Sequence, residues 1–454
     1  MKRIYAILML CLIIIVQSAA LGETELFFEG SDQNSTAYQR FIESHPECIV
    51  NTQTNIYRST NEVISALLTS EFPYDTFVMT TTSFDIKKLM AKGYCSDLSE
   101  SPILQKELEE MYEPIQQLLF YEGKLYGAPF YCYIGYYAYH PDAWEAAGLT
   151  DEDVPTSFTG LLNFLEAWVE RIKDEPTDNI SVCNSFASEQ FGESSYISYL
   201  VDLLIKNYIM DRNYADEPLR FHTPLFKGLL ERCQNIGMDL YRYEPAVKGE
   251  FGLFDDLHGM RELAHLVPLR MTNEQPILIK ASLYTGFLNA RSQHQELAAE
   301  YLEDVVTCVA PEKGAYLYRD AQPVEDPDYK RSMDHLQAEI DDLNKRLTTD
   351  TNMEPMVRNA QQEQMDEMKL SWESMSAAEE RYLISEKDLQ LYRNYGDCLY
   401  FQAPSIFDPS TEDGQNMKQL RDRFCTGDLS VDQFVNRLDE LAWILEKEGE
   451  QSHD

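Results

Sequence analysis

The aromatic stretch at residues 130–139 constrains this chain more than any other segment. It follows Phe120-Tyr121-Glu122-Gly123-Lys124-Leu125-Tyr126-Gly127-Ala128-Pro129. There the Glu-Gly pair marks a turn between two β-rich runs, and Gly127 and Pro129 punctuate the exit, which reads as a hairpin leading into a strand. Along that strand, through Tyr131, Cys132, Tyr133, Ile134, Gly135, Tyr136 and Tyr137, apolar and polar residues do not alternate. Neither face is therefore the wet one, and the strand is expected to be buried on both sides. It serves either as a core strand alone or as a passage between two lobes.

Residues 1–22 carry Lys2 and Arg3, run apolar from Ile4 to Val16, and close on Ser18-Ala19-Ala20-Leu21-Gly22. This pattern reads as a secretory signal peptide, too short and wrongly flanked for a stable span, and places the mature chain outside the cytoplasm. Cys11 lies inside the apolar run with no small residue before it, so it does not match a lipid-accepting cysteine. The formal charge is −39, and loss of Lys2 and Arg3 makes it more negative still. Such a field excludes nucleic acid and anionic membrane surfaces as partners and leaves a cationic ligand such as a polyamine as an alternative. At 44% hydrophobic and 25% charged the chain is ordinary globular material, long enough for two or three domains. Its nine cysteines contain no Cys-x-x-Cys pair, so no zinc site of the usual spacing is expected, while disulfides and buried free thiols both stay open.

Residues 25–28 read as a first strand, and the polar loop 29–36 caps a helix running through Tyr38 and Phe41. Acceptors at the carboxyl end of a strand, just before a helix, sit where open α/β sheets bind ligands, which makes Asp32 a site candidate. A turn or N-cap role for Asp32 is the alternative. Residues 48–52 form a second strand. Ser59-Thr60-Asn61-Glu62 then reads as a capping box opening a helix with Val63, Ile64, Leu67 and Leu68 on one face. Residues 74–79 form a third strand, and the β-α-β-α-β series implies a parallel sheet. Farther on, Leu161, Leu162, Leu165, Trp168, Val169 and Ile172 make one apolar helical stripe, with Trp168 in the core. Met333, Leu336, Ile340, Leu343 and Leu347 step by three and four, as in an amphipathic or short coiled-coil helix. Residues 326–391 are read as a helical insertion whose stripe packs on the second lobe. Ser430 and Gln433 form a capping box near the end.

No Gly-x-Ser-x-Gly, His-Glu-x-x-His, Walker or Gly-x-Gly-x-x-Gly motif is present, and the eight histidines lack metal spacing. No enzyme, metal or cofactor is expected. The abundance of carboxylates keeps a secreted glycosidase as an alternative.

Residues 121–129, with the strand that follows and His140-Pro141-Asp142-Ala143-Trp144-Glu145-Ala146-Ala147-Gly148-Leu149, resemble the first interlobe crossing of bacterial extracellular solute-binding proteins of ABC importers. The type resembled is the sugar-binding one (family 1, maltodextrin-binding-like). His140 stands where the family has Asn. Pro155-Thr156-Ser157-Phe158 is similar to the family's Pro-x-Thr-Trp, and residues 249–255 to a strand that reaches the cleft. Residues 292–303 resemble the return of the chain to lobe one, and residues 427–434 the terminal helix. The resemblance implies an α/β, two-lobed periplasmic-binding-protein-like fold (type II), each lobe a mostly parallel sheet flanked by helices, with an added helical insertion. Lobe one is expected at 23–130 plus 268–310 and lobe two at 131–267 plus 311–454. The crossings are expected near 128–133, 266–272 and 308–319.

It also implies a monomer that captures a mono- or oligosaccharide, closes around it, and delivers it to a membrane permease. Loops at the strand ends of both lobes would supply polar groups while aromatic faces cover the sugar. On that basis the site comprises Asp32, Thr81, Thr82, Tyr131 and Tyr133, with Phe186 and Phe254 from the second lobe and Tyr57 at the rim. Simple N-capping for Thr81 and Thr82, and core packing for Phe251 and Phe254, are the alternatives. The competing functions are a secreted carbohydrate-active hydrolase and a ligand-sensing or polyamine-binding protein of the same fold.

Overall fold

The computed structural model describes residues 24–30, 32–53, 60–69, 71–134, 137–174, 180–182, 194–243, 251–256, 265–267, 269–350, 353–377, 381–402, 406–407 and 414–451. The leader, Ser59, Tyr57 and Phe186 lie outside the described residues.

β1 (Thr24–Glu29), α1 (Thr36–Ser44), β2 (Cys48–Gln53), α2 (Thr60–Thr69) and β3 (Thr76–Thr80) open the chain. β1 pairs in parallel with β2 throughout and with β3 at Phe28 and Thr76, as the alternating pattern implies. Each helix turns one apolar face to the sheet: α1 buries Ala37, Tyr38 and Phe41, and α2 buries Val63, Ala66 and Leu67. The expected hairpin joins β4 (Phe120–Tyr121) to β5 (Lys124–Leu125). Glu122 and Gly123 both take positive φ, 50° and 77°, which a two-residue turn of this hand requires.

β6 (Gly127–Ile134) and β7 (Tyr137–Tyr139) carry the chain onward to α3 (Phe158–Asp174), β8 (Ile180–Ser181), α4 (Ser194–Tyr214) and α5 (Pro224–Tyr243). Next come β9 (Phe251–Gly252), β10 (Phe254–Asp256), β11 (His265–Val267), β12 (Ile279–Leu288), α6 (Gln295–Thr307) and α7 (Pro311–Gly314). β13 (Val324–Glu325) and β14 (Tyr382–Ile384) bracket two long helices, α8 (Pro327–Thr349) and α9 (Pro355–Ala377). β15 (Leu399–Phe401) and α10 (Val431–Gln451) complete the elements used below.

The main sheet has six strands, in the order β15-β12-β3-β1-β2 with β6 also on β12. β12 is its centre. It runs antiparallel to β3 and to β6 and parallel to β15. Asp75 stitches three chain segments at the amino end of β3. Its carboxylate accepts from Phe27 N at 2.9 Å and from Ser292 Oγ at 2.6 Å, and its carbonyl accepts from Asn289 N at 2.9 Å. Around this sheet lies a first core that includes Phe28, Phe77, Leu283, Phe287 and Leu302. A second core gathers Trp144, Tyr208, Phe226, Phe434 and the whole stripe of α3, with Trp168 buried as expected.

Four features differ from the sequence reading. The three-stranded sheet β10-β7-β11 is antiparallel where parallel pairs were expected, because β7 carries the chain away from the first lobe and β11 brings it back alongside. Ala315, Tyr316 and Leu317, with Ile384, Leu389, Tyr392 and Leu399, pack in the first core although residues 311–454 were assigned to the second lobe. The third passage therefore lies between Phe401, packed on the first core, and Phe407, buried in the second, and not near 308–319. The stripe of α8 does not pack on the second lobe. Ile340, Leu343 and Leu347 close instead on Met365 of α9, a separate small core supplied by the next helix in sequence. Cys48, Cys95, Cys132, Cys233, Cys308, Cys398 and Cys425 are free thiols.

Candidate functional site

The strand that leaves the first core, β6, carries the candidate site. Tyr284 of β12 stands opposite Thr80 of β3 on one side and Tyr131 of β6 on the other. Directly opposed residues project from the same face of a sheet, so Thr80, Tyr284 and Tyr131 form one row. Tyr284 is the single exposed residue of β12, at 37%. Its ring centroid lies 5.5 Å from that of Tyr131 and 6.4 Å from that of Phe130.

Phe130 reaches Tyr284 because the register slips at this point. Tyr284 pairs with Tyr131 but Thr285 pairs with Pro129, which leaves Phe130 as the extra residue of a β-bulge. A bulge turns two successive side chains away from strict alternation, and both Phe130 and Tyr131 are half-buried. Lys313 of α7 places its Nζ 5.9 Å from the Tyr131 ring centroid. At the other end of the row the hydroxyls of Thr80 and Thr82 lie 3.0 Å apart. Three rings, two hydroxyls and an ammonium thus occupy neighbouring positions at one end of the main sheet. Rings of this kind offer flat apolar faces, and the polar groups can bond to a ligand's hydroxyls.

The sequence candidates divide accordingly. Tyr131 lies in the row, Tyr133 follows two residues on along the same strand, opposite Ser282, and Thr82 joins through Thr80. Thr81 is buried: its hydroxyl accepts from Leu283 N at 3.0 Å and its N–H donates to Leu283 O at 3.1 Å, so it prolongs the β3–β12 ladder. Asp32 is exposed and folds its own loop, accepting from Asn34 N at 2.9 Å and from Asn34 Nδ2 at 3.2 Å, while Ser35 caps α1. Gln33 Nε2 ties that loop to Thr52 Oγ1 at 3.1 Å. Phe254 belongs to β10, opposite Tyr139, with its side chain outside the described residues, as are Tyr57 and Phe186 altogether. Phe130, Thr80, Tyr284 and Lys313 were not among the sequence candidates. Tyr284 had a faint signal, a tyrosine on the face of β12 that also carries Lys280 and Ser282; the bulge at Phe130 had none.

Beside this site Glu29, the last residue of β1, is only 2% exposed, and burial pushes its carboxyl up to about 7. Two contacts span the cores where the chain passes between them. Tyr400 of β15 lies by the Asn213 side chain of α4, and Asp211 of α4 by the Gln275 side chain in the segment leading to β12. Burial raises both titrating groups, since each loses water at the junction. Among the described residues no group of three or more His, Cys, Asp or Glu is placed to hold a metal ion.

Solved structures share this architecture. The cyclic alpha-maltosyl-1,6-maltose binding protein of Arthrobacter globiformis is 12% identical, with a TM-score of 0.51 over 93% of this chain and 98% of that one. The ABC substrate-binding protein Lmo0181 of Listeria monocytogenes, in complex with cycloalternan, is 11% identical, with a TM-score of 0.50 over 93% and 98%. The bacterial solute receptor AcbH, described as exclusive for b-D-galactopyranose, is 12% identical, with a TM-score of 0.51 over 94% and 98%. No family model matches the sequence, and no curated protein does. The chain therefore has the mixed α/β fold of the ABC substrate-binding proteins, over nearly its full length.

Proposed function

We propose that this protein is an exported solute-binding protein that captures a mono- or oligosaccharide and hands it to the permease of an ABC importer. The observation that carries the reading is the row Thr80–Tyr284–Tyr131 with Phe130 beside it, set on the strand by which the chain leaves the first core. A pyranose presents C–H faces and a ring of hydroxyls, and aromatic faces next to threonine hydroxyls and an ammonium complement both. Solved structures of the same fold whose descriptions name cycloalternan, a cyclic maltosyl-maltose or galactopyranose support the ligand class. Export rests on the leader-like residues 1–22. Among the described residues no helix is long and apolar enough to cross a membrane.

Binding of one solute by both lobes would stabilise a closed arrangement over an open one. The protein would act as a monomer, without a cofactor. A thermal-shift screen of sugars, amino acids and polyamines, followed by calorimetry on the best hit, tests the reading. A sugar should raise the melting temperature and be recovered unchanged. Stabilisation by polyamines alone would replace the sugar with a cation, and turnover of an oligosaccharide would replace the binding protein with a hydrolase.

A further inference from the structure

Glu29 has no part in the reading above, yet its setting is unusual for a carboxyl group. β1 stops pairing with β3 at Phe28 and Thr76, so the Val78 N–H, two residues farther along β3, meets no β1 carbonyl. Glu29 Oε2 accepts from it at 2.8 Å, standing in for the absent strand. Oε1 is buried and has no hydrogen-bond partner among the described residues. As a carboxylate the group would hold charge on a buried oxygen that has no partner among the described residues. As an acid it keeps the Val78 bond through Oε2 and carries its proton on Oε1.

Among the described residues no side chain supplies a countercharge: burial raises this carboxyl and the Val78 N–H lowers it. β1 flanks it with Phe28 and Gly30, β2 sets Gln53 in register with it, and β12 sets Gly286 opposite Val78. The acids on these elements are otherwise engaged: Glu25 accepts from Asn51 Nδ2, and Asp75 from Phe27 N and Ser292 Oγ. Asp32, in the loop beyond, accepts from Asn34. Gly30 leaves the strand at φ 72°, and a Cβ there would stand 3.0 Å from that of Val78. The loop's point of departure is thus packed on the residue that Glu29 holds.

We propose that Glu29 in its protonated form is the positioning residue of the β1–α1 loop: it fastens Gly30 and the Asp32 turn against β3, and lets them go when it ionises. The fastening stands on the contacts named here. Its consequence for ligand capture, a loop edge that loosens as the medium turns alkaline, rests on the proposed function.

Hydrogen exchange on the full chain without any ligand tests the fastening, read as protection factors so that the intrinsic pH dependence of exchange drops out. Protection of the Val78 and Gly30 amides should fall about tenfold from about pH 6 to about pH 8, in step with the neutral fraction of the group. Glu29→Gln, which keeps an acceptor for Val78 and cannot ionise, should hold its protection at both. Equal protection of the parent at the two pH values, or the same fall in Glu29→Gln, overturns the proposal. The unaltered protein gives a second readout through carbon-13 NMR of the Glu29 carboxyl: a midpoint near neutrality is expected, and one near 4.5, the ordinary value for this side chain, overturns it. Neither measurement uses a sugar, so a screen in which no sugar binds removes the solute reading and leaves both results standing.

Discussion

The main sheet and the α8–α9 hairpin hold themselves together in opposite ways. β12 takes partners from β3, near the start of the chain, from β6, and from β15, more than a hundred residues beyond itself. The first core is therefore complete only when distant segments have met, and those pairings cost loop-closure entropy before they return any stability. In the hairpin, Ile340, Leu343 and Leu347 meet Met365 across a single connection. The contrast teaches that the hairpin is a unit able to open on its own, whereas removing one strand contact from the main sheet weakens the whole first lobe.

The largest effect should follow a cut at the centre of the sheet. Phe287 on β12 is fully buried and its ring stacks with that of Phe77 at 5.7 Å. Phe287→Ala should cost about 3–5 kcal/mol, seen as a lower denaturant midpoint of the main unfolding transition. If the transition stays in place, the sheet is not the cooperative centre assumed here.

Next comes the pH dependence due to Glu29. Its folded value of about 7 lies above the ordinary 4.5, so between those values the unfolded chain has lost the proton that the folded chain still holds. Stability should thus be highest on the acid side, fall as pH rises from 4.5 to about 7, and level off above, by a total on the order of 3 kcal/mol. Urea unfolding at a series of pH values should show this slope in the parent and a flatter one in Glu29→Gln; parallel slopes would mean that the group titrates normally.

A smaller and local effect is expected in the hairpin. Leu343→Ala should cost about 2 kcal/mol, confined to faster hydrogen exchange in α8 and α9, with the main transition unmoved. Loss of the main transition would show that the hairpin is integral to the first lobe.

Smaller again is the effect of a single ring on binding. Tyr284→Ala should weaken a bound sugar by about 1 kcal/mol in calorimetry, with folding intact because the ring is partly exposed. An unchanged affinity would move the site away from the row on β12.

The same contrast explains what could be read from the residues alone. Patterns that repeat within one helix were legible: the buried stripe of α3, the 3-and-4 spacing of α8, and the Ser430–Gln433 box, in which Ser430 N donates to Gln433 Oε1 at 2.9 Å. The Glu122-Gly123 turn was legible because its second position takes φ 77°, which glycine adopts freely, while Glu122 accepts φ 50° as a non-glycine residue. Features set by register between distant strands were not. Nothing near Phe130 announces that Thr285 will pair with Pro129, and nothing near Glu29 announces that β1 will stop short of Val78. The partner of the α8 stripe was misjudged for a related reason: periodicity shows which face is apolar and is silent on what covers it. Tyr131 and Thr82 were singled out because strand ends gather sites in folds of this class, while Thr81 shows that a neighbouring hydroxyl can instead serve the ladder.

The central claim is that a sugar is held between two lobes that close on it. Small-angle X-ray scattering of the protein, alone and saturated with the sugar chosen by the thermal-shift screen, tests it most directly. The account predicts a smaller radius of gyration with the sugar bound. A sugar that binds to saturation and leaves the radius unchanged would contradict it.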